Sequence, residues 1–373
     1  MQPVRRGAVG SAVVEIRRML ASIGLLDNTR PEGVHVFDEA TELAVRHFQQ
    51  RRGLTVDGAV GAETYAGLTG AHWRLGDRVL AHEASHQVLG DDVSALQTQL
   101  LELGYDLARA DGVFGVRTAA GLRAFQRDYG LVADGICGPD TLRALRQLGR
   151  RVVGGRPQLL REMVAVAQSG PSLLGKRIVL DPGHGGADPG TVYGRHTEAE
   201  LVWDLATRLE GRLEALAVQS WLTRGPHNGA SDEARAALAN DIGADLVLSL
   251  HIDGYASPRA NGIAAYFYGA AESSSTIGER LADLVQRELV ARTRMTDGRI
   301  HAKTWALLRL TRMPAVRVEL GYLTSALDRP LLADPRFRDA VAEGLLVAVQ
   351  RLYLPKADDP PTGMMRISAA SLA

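Results

Sequence analysis

Apolar positions in the first 148 residues recur at the three- and four-residue spacing of helices that bury one face. Val13, Ile16, Leu20 and Ile23 predict one helix, and Leu43, Val45 and Phe48 lie in a second. A turn with the sequence Val-Asp-Gly follows, and a third, shorter helix is predicted after it. The same order of helix, helix, turn and helix returns further along the chain. The pattern therefore predicts two small all-α repeats of three helices each.

An internal repeat accounts for this symmetry. Identical residues recur 77 positions apart, and the first copy carries three extra residues in a loop around Asn28 to Gly33. The repeated positions are Phe48-Gln49, Asp57-Gly58, Gly61, Thr64 and Leu68 in the first copy and Phe125-Gln126, Asp134-Gly135, Gly138, Thr141 and Leu145 in the second. We expect most of these side chains to be core and turn residues that build the fold.

From Lys176 onward, short apolar runs alternate with helical patterns. The predicted strands span residues 177–180, 218–223, 246–251, 263–268, 306–310 and 315–319. The predicted helices span residues 198–216, 231–242, 275–290 and 336–352. Such alternation predicts an α/β domain with a mostly parallel sheet and helices on both faces.

The segments between these patterns set the predicted domain limits. Residues 150–175 are rich in Gly, Pro, Gln and Ser, which predicts a linker with one short helix. The tail at 355–373 contains Asp-Asp-Pro-Pro and is predicted to be disordered. The predicted domains are the helical repeats at 1–72 and 76–149 and the α/β domain at 176–354.

Charge and cysteine content exclude several classes of protein. The chain has 43 Lys and Arg residues against 43 Asp and Glu residues, so no net field attracts nucleic acid or an anionic membrane. Its one cysteine, Cys137, allows no intramolecular disulfide. The amino terminus has no apolar core of signal-peptide length, and no run is long enough to span a membrane. These features predict a cytoplasmic protein, with a wrongly assigned start codon as the competing explanation.

Polar residues follow three of the predicted strands at the point where each strand ends. His184 lies in the glycine-rich loop of the sequence IVLDPGHGGADPG, His251 ends the run LVLSLH, and Glu319 ends the run AVRVE. The carboxyl ends of parallel strands meet at one edge of a sheet, where open α/β folds place their chemistry. We therefore expect these three side chains to converge.

A fourth member is expected from the start of the helix after the glycine-rich loop. Thr197 and Glu200 have the spacing of a capping box, which occupies both side chains and leaves Glu198 free to face the loop. The alternative role for Glu198 is a partner of the helix dipole, which contributes only about 0.3–1 kcal/mol.

Two histidines, one carboxylate and an open fourth position form the ligand set of catalytic zinc hydrolases. Imidazole and carboxylate donors without cysteine suit one Zn²⁺ ion. Glu319 is then the candidate carboxylate for proton transfer.

Several ordered motifs in residues 176–354 resemble the zinc-dependent N-acetylmuramoyl-L-alanine amidase family of the Amidase_3 type. They are IVLDPGHGGADPG, the first glutamate of TEAE, LTR, LANDIGADLVLSLHIDG and MPAVRVELGYLTSALD. The resemblance implies hydrolysis of the amide between the muramyl lactyl group and the L-alanine of the peptidoglycan stem peptide.

The same resemblance implies roles for individual residues. It makes His184, Glu198 and His251 the ligands of one zinc ion and Glu319 the catalytic glutamate. The family usually has a lysine after its ligand glutamate, and this chain has Ala199 there.

The repeats, over residues 7–70 and 88–148, resemble the peptidoglycan-binding domains of the PG_binding_1 type. This resemblance implies that they hold peptidoglycan or its muramyl-peptide precursors.

Two further residues are candidates for contact with substrate. Arg224 is a possible partner for a substrate carboxylate, and the alternative for both Arg224 and Arg235 is structural ion pairing. His301 is expected to lie near the edge of the sheet that carries the site.

The order of the segments supports a second function. Two repeats, an amidase domain and a short tail without a signal peptide resemble the actinobacterial CwlM-type proteins. That resemblance implies a cytoplasmic regulator of peptidoglycan precursor synthesis, acting through contacts with regulatory proteins and through phosphorylation of the tail. Thr362 is the candidate phosphoacceptor. Hydrolase and regulator both remain open on the sequence.

Overall fold

The structure is a computed structural model that describes residues 3–27, 35–83, 88–107, 109–149, 164, 166, 168–255, 257, 259–269, 274–355 and 357–367. The described residues before position 160 form one compact unit, and those after position 161 form a second. The predicted loop insertion around Asn28 to Gly33 and most of the predicted linker lie outside the described residues. Where the chain is described, every helix is too short or too polar to cross a membrane.

The first unit consists of two helical repeats, as the sequence predicts. Its helices are α1 (Ser11–Ser22), α2 (Glu39–Arg52), α3 (Ala62–Ala71), α4 (Asp91–Glu102), α5 (Val116–Asp128) and α6 (Pro139–Gly149). Each repeat has its own apolar core: Leu20 and Phe48 are fully buried in the first, and Leu96 and Phe125 in the second. The periodicity therefore identified most of the buried positions, with the exception of Leu43, which is 54% exposed.

The repeated polar residues are internal hydrogen-bonding partners. In the first repeat, the Gln49 side-chain nitrogen donates to Asp57 Oδ1 at 2.8 Å and to Thr64 Oγ1 at 3.1 Å. The set Gln126, Asp134 and Thr141 is bonded in the same way, and so is the set Gln97, Asp111 and Thr118. The glutamine ties the turn to the start of the following helix. These side chains build the fold, as the sequence predicts.

The second unit is built on a sheet with the strand order β4-β1-β5-β8-β6-β7 among its described residues. The strands are β1 (Arg177–Pro182), β4 (Gln219–Leu222), β5 (Leu246–Asp253), β6 (Ile263–Tyr268), β7 (Asp297–Lys303) and β8 (Ala315–Tyr322), and a separate small hairpin joins β2 (Val192–Tyr193) to β3 (His196–Thr197). The neighbouring pairs β4–β1, β1–β5 and β5–β8 are parallel, and β6 is antiparallel to β8. The prediction of an α/β domain with a mostly parallel sheet is confirmed.

Helices cover both faces of the sheet. They are α7 (Glu198–Glu214), α8 (Asp232–Ile242), α9 (Thr276–Thr293), α10 (Ala306–Leu310), α11 (Asp328–Ala333) and α12 (Pro335–Tyr353). The larger core packs α7, α9 and α12 against one face, and the smaller core packs α8 and α10 against the other. Because β1, β5 and β8 are adjacent, their carboxyl ends form one continuous edge.

Two secondary-structure predictions are wrong. The segment Ala306–Leu310, predicted as a strand, is the short helix α10. Its Ala, Leu and Arg residues favour helix and include no β-branched side chain. The strand β7 was not predicted, because its sequence DGRIHAK is mostly polar and lies on an edge with little burial.

The predicted disordered tail is ordered over residues 357–367. Arg351, on α12, donates to Asp359 at 2.6 Å and to Thr362 Oγ1 at 3.2 Å, and the Gly363 amide donates to the buried Glu288 at 3.1 Å. These contacts fix the segment although it has few apolar residues. Tertiary hydrogen bonds and ion pairs, which composition does not reveal, overturn the prediction for this segment.

Candidate metal centre

The three predicted ligands and the predicted catalytic glutamate lie together at the carboxyl edge of the sheet. His184 follows β1, and His251 and Glu319 are directly paired on β5 and β8. Glu198 is the first residue of α7. Ligand atoms of the two histidines and Glu198 all lie within 4.8 Å of one another. The convergence of the three strand ends is what the parallel pattern predicts.

Main-chain hydrogen bonds to two buried arginines hold the loop that carries His184. The backbone of His184 has φ 58°, a left-handed conformation that is uncommon for a residue with a side chain. Arg235 donates to the His184 carbonyl at 2.7 Å and to Asp181 at 2.5 Å, and Arg224 donates to the Pro182 carbonyl at 2.8 Å. Such contacts stabilise an otherwise unfavourable loop conformation.

This placement decides between the two roles considered for the arginines. Arg224 is 6% exposed and all its hydrogen bonds go to main-chain carbonyls, so the structure does not support the predicted contact with substrate. Arg235 pairs with the buried carboxylate of Asp181. The predicted structural ion pair holds for Arg235, whereas Arg224 has a structural role through hydrogen bonds to main-chain carbonyls.

The His184 ring lies between two carboxylates. Its Nδ1 is 2.7 Å from Asp188 Oδ2, and its Nε2 is 3.2 Å from Glu198 Oε1. The hydrogen bond to Glu198, together with the bond to Asp188, raises the pKa of His184 to about 9 despite the opposing effect of burial. Without a metal ion, His184 therefore carries a positive charge at neutral pH.

Glu198 is buried and accepts hydrogen bonds on both carboxylate oxygens. Its Oε1 accepts from His251 Nδ1 at 2.9 Å and from the Ile252 amide at 3.0 Å, and its Oε2 accepts from the Thr191 amide at 2.9 Å. Burial by itself would raise the pKa of Glu198, but the bonds from His184 and His251 outweigh it and hold that pKa well below its usual range. The residue is thus a buried carboxylate anion beside two imidazoles.

The helix start separates Glu198 from its neighbour Glu200. Thr197 is the N-cap of α7, and its hydroxyl accepts a hydrogen bond from the Glu200 amide at 3.2 Å. The Glu200 side chain is exposed, whereas that of Glu198 faces the site. The structure shows the bond from the Glu200 amide to Thr197 that a capping box requires, and it places Glu198 inward, as expected.

Two glycines leave room for the site residues. A Cβ atom on Gly183 would lie 2.1 Å from the His251 ring, and one on Gly190 would lie 2.6 Å from Glu198 Oε2. Gly190 also has φ 64°, which disfavours a side chain. The glycine-rich motif is therefore required by the close approach of its backbone to two of the proposed ligands.

Glu319 is 5% exposed, and hydrogen bonds among the described residues reach only one of its two carboxylate oxygens. Its Oε1 accepts from Arg317 Nε at 2.9 Å and from Arg317 Nη2 at 2.6 Å. Within the described residues, Oε2 is buried and has no hydrogen-bonding partner. The Arg317 guanidinium also lies 4.5 Å from the Trp305 ring centroid. Sequence reasoning missed Arg317, although alternate residues of a strand share a face and Arg317 precedes Glu319 by two.

Two cavities of about 450 Å³ each open beside the candidate ligands. Both are lined by His184, Asp188 and Arg317. We call the one that also includes Thr191, Ile252, Asp253 and Glu319 the hairpin-side cavity, and the one that includes Gly185, Ala230 and Ser231 the α8-side cavity.

Sequence reasoning also missed Asp253, whose pKa is raised by burial and by the nearby charge of Glu319.

His301 lies on β7, at the far edge of the sheet, and lines neither cavity. Its Nε2 is 2.7 Å from the Gly298 carbonyl oxygen, and its ring centroid is 5.4 Å from that of Tyr266. The structure gives no support to its predicted contact with substrate.

The donor set fits a divalent metal ion that prefers nitrogen and oxygen. Two imidazoles and one carboxylate converge, and no cysteine takes part. His184 and Glu198 line the hairpin-side cavity, and His184 and His251 line the α8-side cavity. The buried, unpartnered Oε2 of Glu319 beside this group is consistent with a polar ligand in the same cavity.

Comparisons with known proteins identify relatives of both parts of the chain. Residues 178–351 match the family N-acetylmuramoyl-L-alanine amidase, and residues 9–68 and 90–145 match a peptidoglycan binding domain family. The chain is 48% identical to the N-acetylmuramoyl-L-alanine amidase CwlM of Mycobacterium tuberculosis, over 96% of this chain and 92% of that protein. It is 28% identical to a germination-specific N-acetylmuramoyl-L-alanine amidase of Bacillus subtilis, over 50% of this chain and 84% of that protein.

Among solved structures, an N-acetylmuramoyl-L-alanine amidase from Clostridium difficile 630 is 29% identical, with a TM-score of 0.44, over 47% of this chain and 95% of that chain.

Proposed function

Because this chain belongs to the N-acetylmuramoyl-L-alanine amidase family, we propose that it hydrolyses the amide between the lactyl group of N-acetylmuramic acid and L-alanine in peptidoglycan. The observation that carries the proposal is the meeting of His184, Glu198 and His251, whose ligand atoms lie within 4.8 Å of one another, next to the strand pair that joins His251 to Glu319. A group of this composition suits hydrolysis of an unactivated amide, because a bound metal can activate water and polarise the carbonyl while a carboxylate transfers the proton.

One Zn²⁺ ion is the metal that this donor set would hold, through His184, Glu198 and His251. When bound, zinc polarises a carbonyl as a Lewis acid and lowers the pKa of water. Asp188 accepts from His184 Nδ1 and so directs the other ring nitrogen toward Glu198 and the cavity. The loop contacts of Arg224 and Arg235 keep that ring in place.

Glu319 is the proposed proton carrier. Its free Oε2 accepts a proton from the attacking water as the water oxygen bonds to the carbonyl carbon. The same carboxyl then delivers this proton to the amide nitrogen as the C–N bond breaks, which releases the stem peptide as an amine. Arg317 holds Oε1 and so fixes the direction of Oε2.

The two helical repeats, which we assign to residues 1–72 and 76–149, are proposed to hold peptidoglycan or its muramyl-peptide precursors. A second binding site on the same chain raises the effective concentration of substrate at the active site. The repeated Gln, Asp and Thr side chains are already used inside each repeat, so ligand contact is left to other surfaces.

The test uses the full chain and a soluble muramyl peptide. Purified protein is expected to contain about one zinc per chain and to release stem peptide. Glu319→Gln is expected to keep its zinc and lose activity by about 10²–10⁴-fold, since proton transfer contributes that much. The matched control is Glu200→Gln, which removes an exposed carboxylate of the same region and should leave activity unchanged.

The same assay separates the amidase from the regulator considered above. A folded, zinc-containing protein that cleaves neither polymeric nor lipid-linked muramyl peptides would contradict the amidase proposal. It would favour a non-hydrolytic role through partner proteins and a phosphorylated Thr362.

A further inference from the structure

Exposed apolar and aromatic side chains lie on three segments that adjoin residues lining the hairpin-side cavity, and we call these segments its rim. The first segment is the β2–β3 hairpin, the second follows β5, and the third follows β8. Their exposed members are Val192, Tyr193, Tyr255, Leu327 and Leu331, between 39% and 69% exposed. Apolar side chains grouped in this way mark a surface that binds a ligand.

Direct contacts join this rim to the cavity. Thr191 lines the cavity, and Gly254 packs so closely on it that a Cβ atom there would lie 2.6 Å from Thr191 Cγ2. Tyr193 follows Thr191 by two residues, and Tyr255 directly follows Gly254. The Tyr255 amide donates to Thr324 Oγ1 at 3.0 Å, which ties its segment to the loop after β8.

A neighbouring arginine packs over the Tyr193 ring. The guanidinium of Arg329, on α11, lies 4.0 Å from the ring centroid, and Tyr193 is still 45% exposed. Arg329 therefore covers one face of the ring and orients the remaining surface outward. Tyr255 is 63% exposed, and the hydrogen bond from its amide to Thr324 places it beside the loop that leads from β8 to α11, the helix of Arg329.

We propose that Tyr193 and Tyr255 form the subsite for the sugar ring of the muramyl substrate. The proposal rests on the amidase function, which defines the substrate, and adds that the glycan side of the scissile amide lies along the hairpin-side cavity. An N-acetylated sugar has apolar C–H faces and polar edges, and a tyrosine has an apolar ring and a polar tip, so the two are complementary.

A protein partner is the other class of ligand that exposed apolar side chains suit. The sugar is the better candidate because the rim adjoins the cavity that contains Glu319, and a substrate bound there must extend out of it. Two tyrosines and an arginine also provide hydroxyl and guanidinium donors for sugar oxygens.

The test compares two ligands that differ only by the sugar. They are N-acetylmuramyl-L-alanyl-D-isoglutamine and D-lactoyl-L-alanyl-D-isoglutamine, with binding to the full-length Glu319→Gln variant measured by calorimetry. We expect the sugar to tighten binding by about tenfold, the scale of a good aromatic contact. The double variant Tyr193→Ala, Tyr255→Ala should abolish this ratio and leave the affinity for the lactoyl peptide unchanged.

Leu174→Ala, which removes an exposed apolar side chain before the start of β1, at the opposite edge of the sheet from the site, is the matched control and should keep the ratio. Equal affinity of the parent for both ligands would overturn the subsite. So would a double variant that binds both ligands more weakly by the same factor, or one that binds both as tightly as the parent does. Because binding is measured without turnover, failure of the amidase proposal can be told apart from failure of the subsite proposal. A wild-type protein that fails to cleave but keeps the sugar-dependent ratio refutes hydrolysis and leaves the subsite intact.

Discussion

His184 and Asp188 are linked by a hydrogen bond of 2.7 Å within one glycine-rich loop, between Nδ1 of the ring and Oδ2 of the carboxylate. The bond fixes which ring nitrogen faces the carboxylate of Glu198, 3.2 Å away. A proposed metal ligand is thus oriented by a residue only four positions further along the chain.

Replacing Asp188 by asparagine is expected to weaken zinc binding by about 10–100-fold, the usual effect of losing a carboxylate behind a ligand histidine. Competition with a chelator of known affinity measures the change. Asp232→Asn removes another carboxylate from the cavity walls that has no bond to His184, and it should leave the affinity near that of the parent. Equal zinc affinity in Asp188→Asn and the parent would show that Asp188 does not orient the ring.

Zinc binding is expected to release about one proton per ion at neutral pH, because the pKa of His184 is raised to about 9 and its imidazole must lose a proton to bind metal. Zinc affinity should therefore rise with pH up to about 9 and level off above it. Calorimetry in buffers of different ionisation enthalpy measures the released protons. No proton release below pH 9 would mean that His184 is neutral in the metal-free protein, which contradicts its position between two carboxylates.

Arg235→Met is expected to destabilise the second unit by about 3–5 kcal/mol, because it leaves the buried carboxylate of Asp181 without its partner. Urea unfolding measures the change. Adding Asp181→Asn should recover much of the loss, since the uncompensated charge is then gone. Arg287→Met, which breaks the exposed pair with Asp283 on α9, is the control and should change the free energy of unfolding little. An equally small effect of Arg235→Met would refute the structural role.

Arg317→Met is expected to lower kcat by about tenfold or more with little change in KM and in zinc content, because Glu319 loses the two bonds that orient it. Arg317→Lys, which keeps the charge, should lose less. In a background of Glu319→Gln, the same Arg317→Met change should have almost no further effect on kcat. Independent, additive losses would show that Arg317 does not act through Glu319.

Much of the candidate site was predictable because its residues sit at points that local patterns define. His251 and Glu319 end apolar runs, and a sheet of parallel strands necessarily brings such ends to one edge. Glu198 was distinguished from Glu200 by the capping residue Thr197, which is a local feature of helix starts. Arg317 precedes Glu319 by two on the same strand, so alternation along that strand is a signal that points to it. No such pattern marks Asp253, whose raised pKa depends on burial and on the charge of Glu319 on the neighbouring strand.

By itself the sequence determined the repeat, the alternation of strands and helices, and the four residues proposed for chemistry, since these follow from periodicity, caps and strand ends. Only the tertiary structure decided that Arg224 supports a loop, that Arg235 pairs with Asp181 and that residues 357–367 are ordered. The physical reason is that these outcomes depend on side chains from distant segments. Burial and hydrogen-bonding partners are set when those segments pack, and no local pattern contains them.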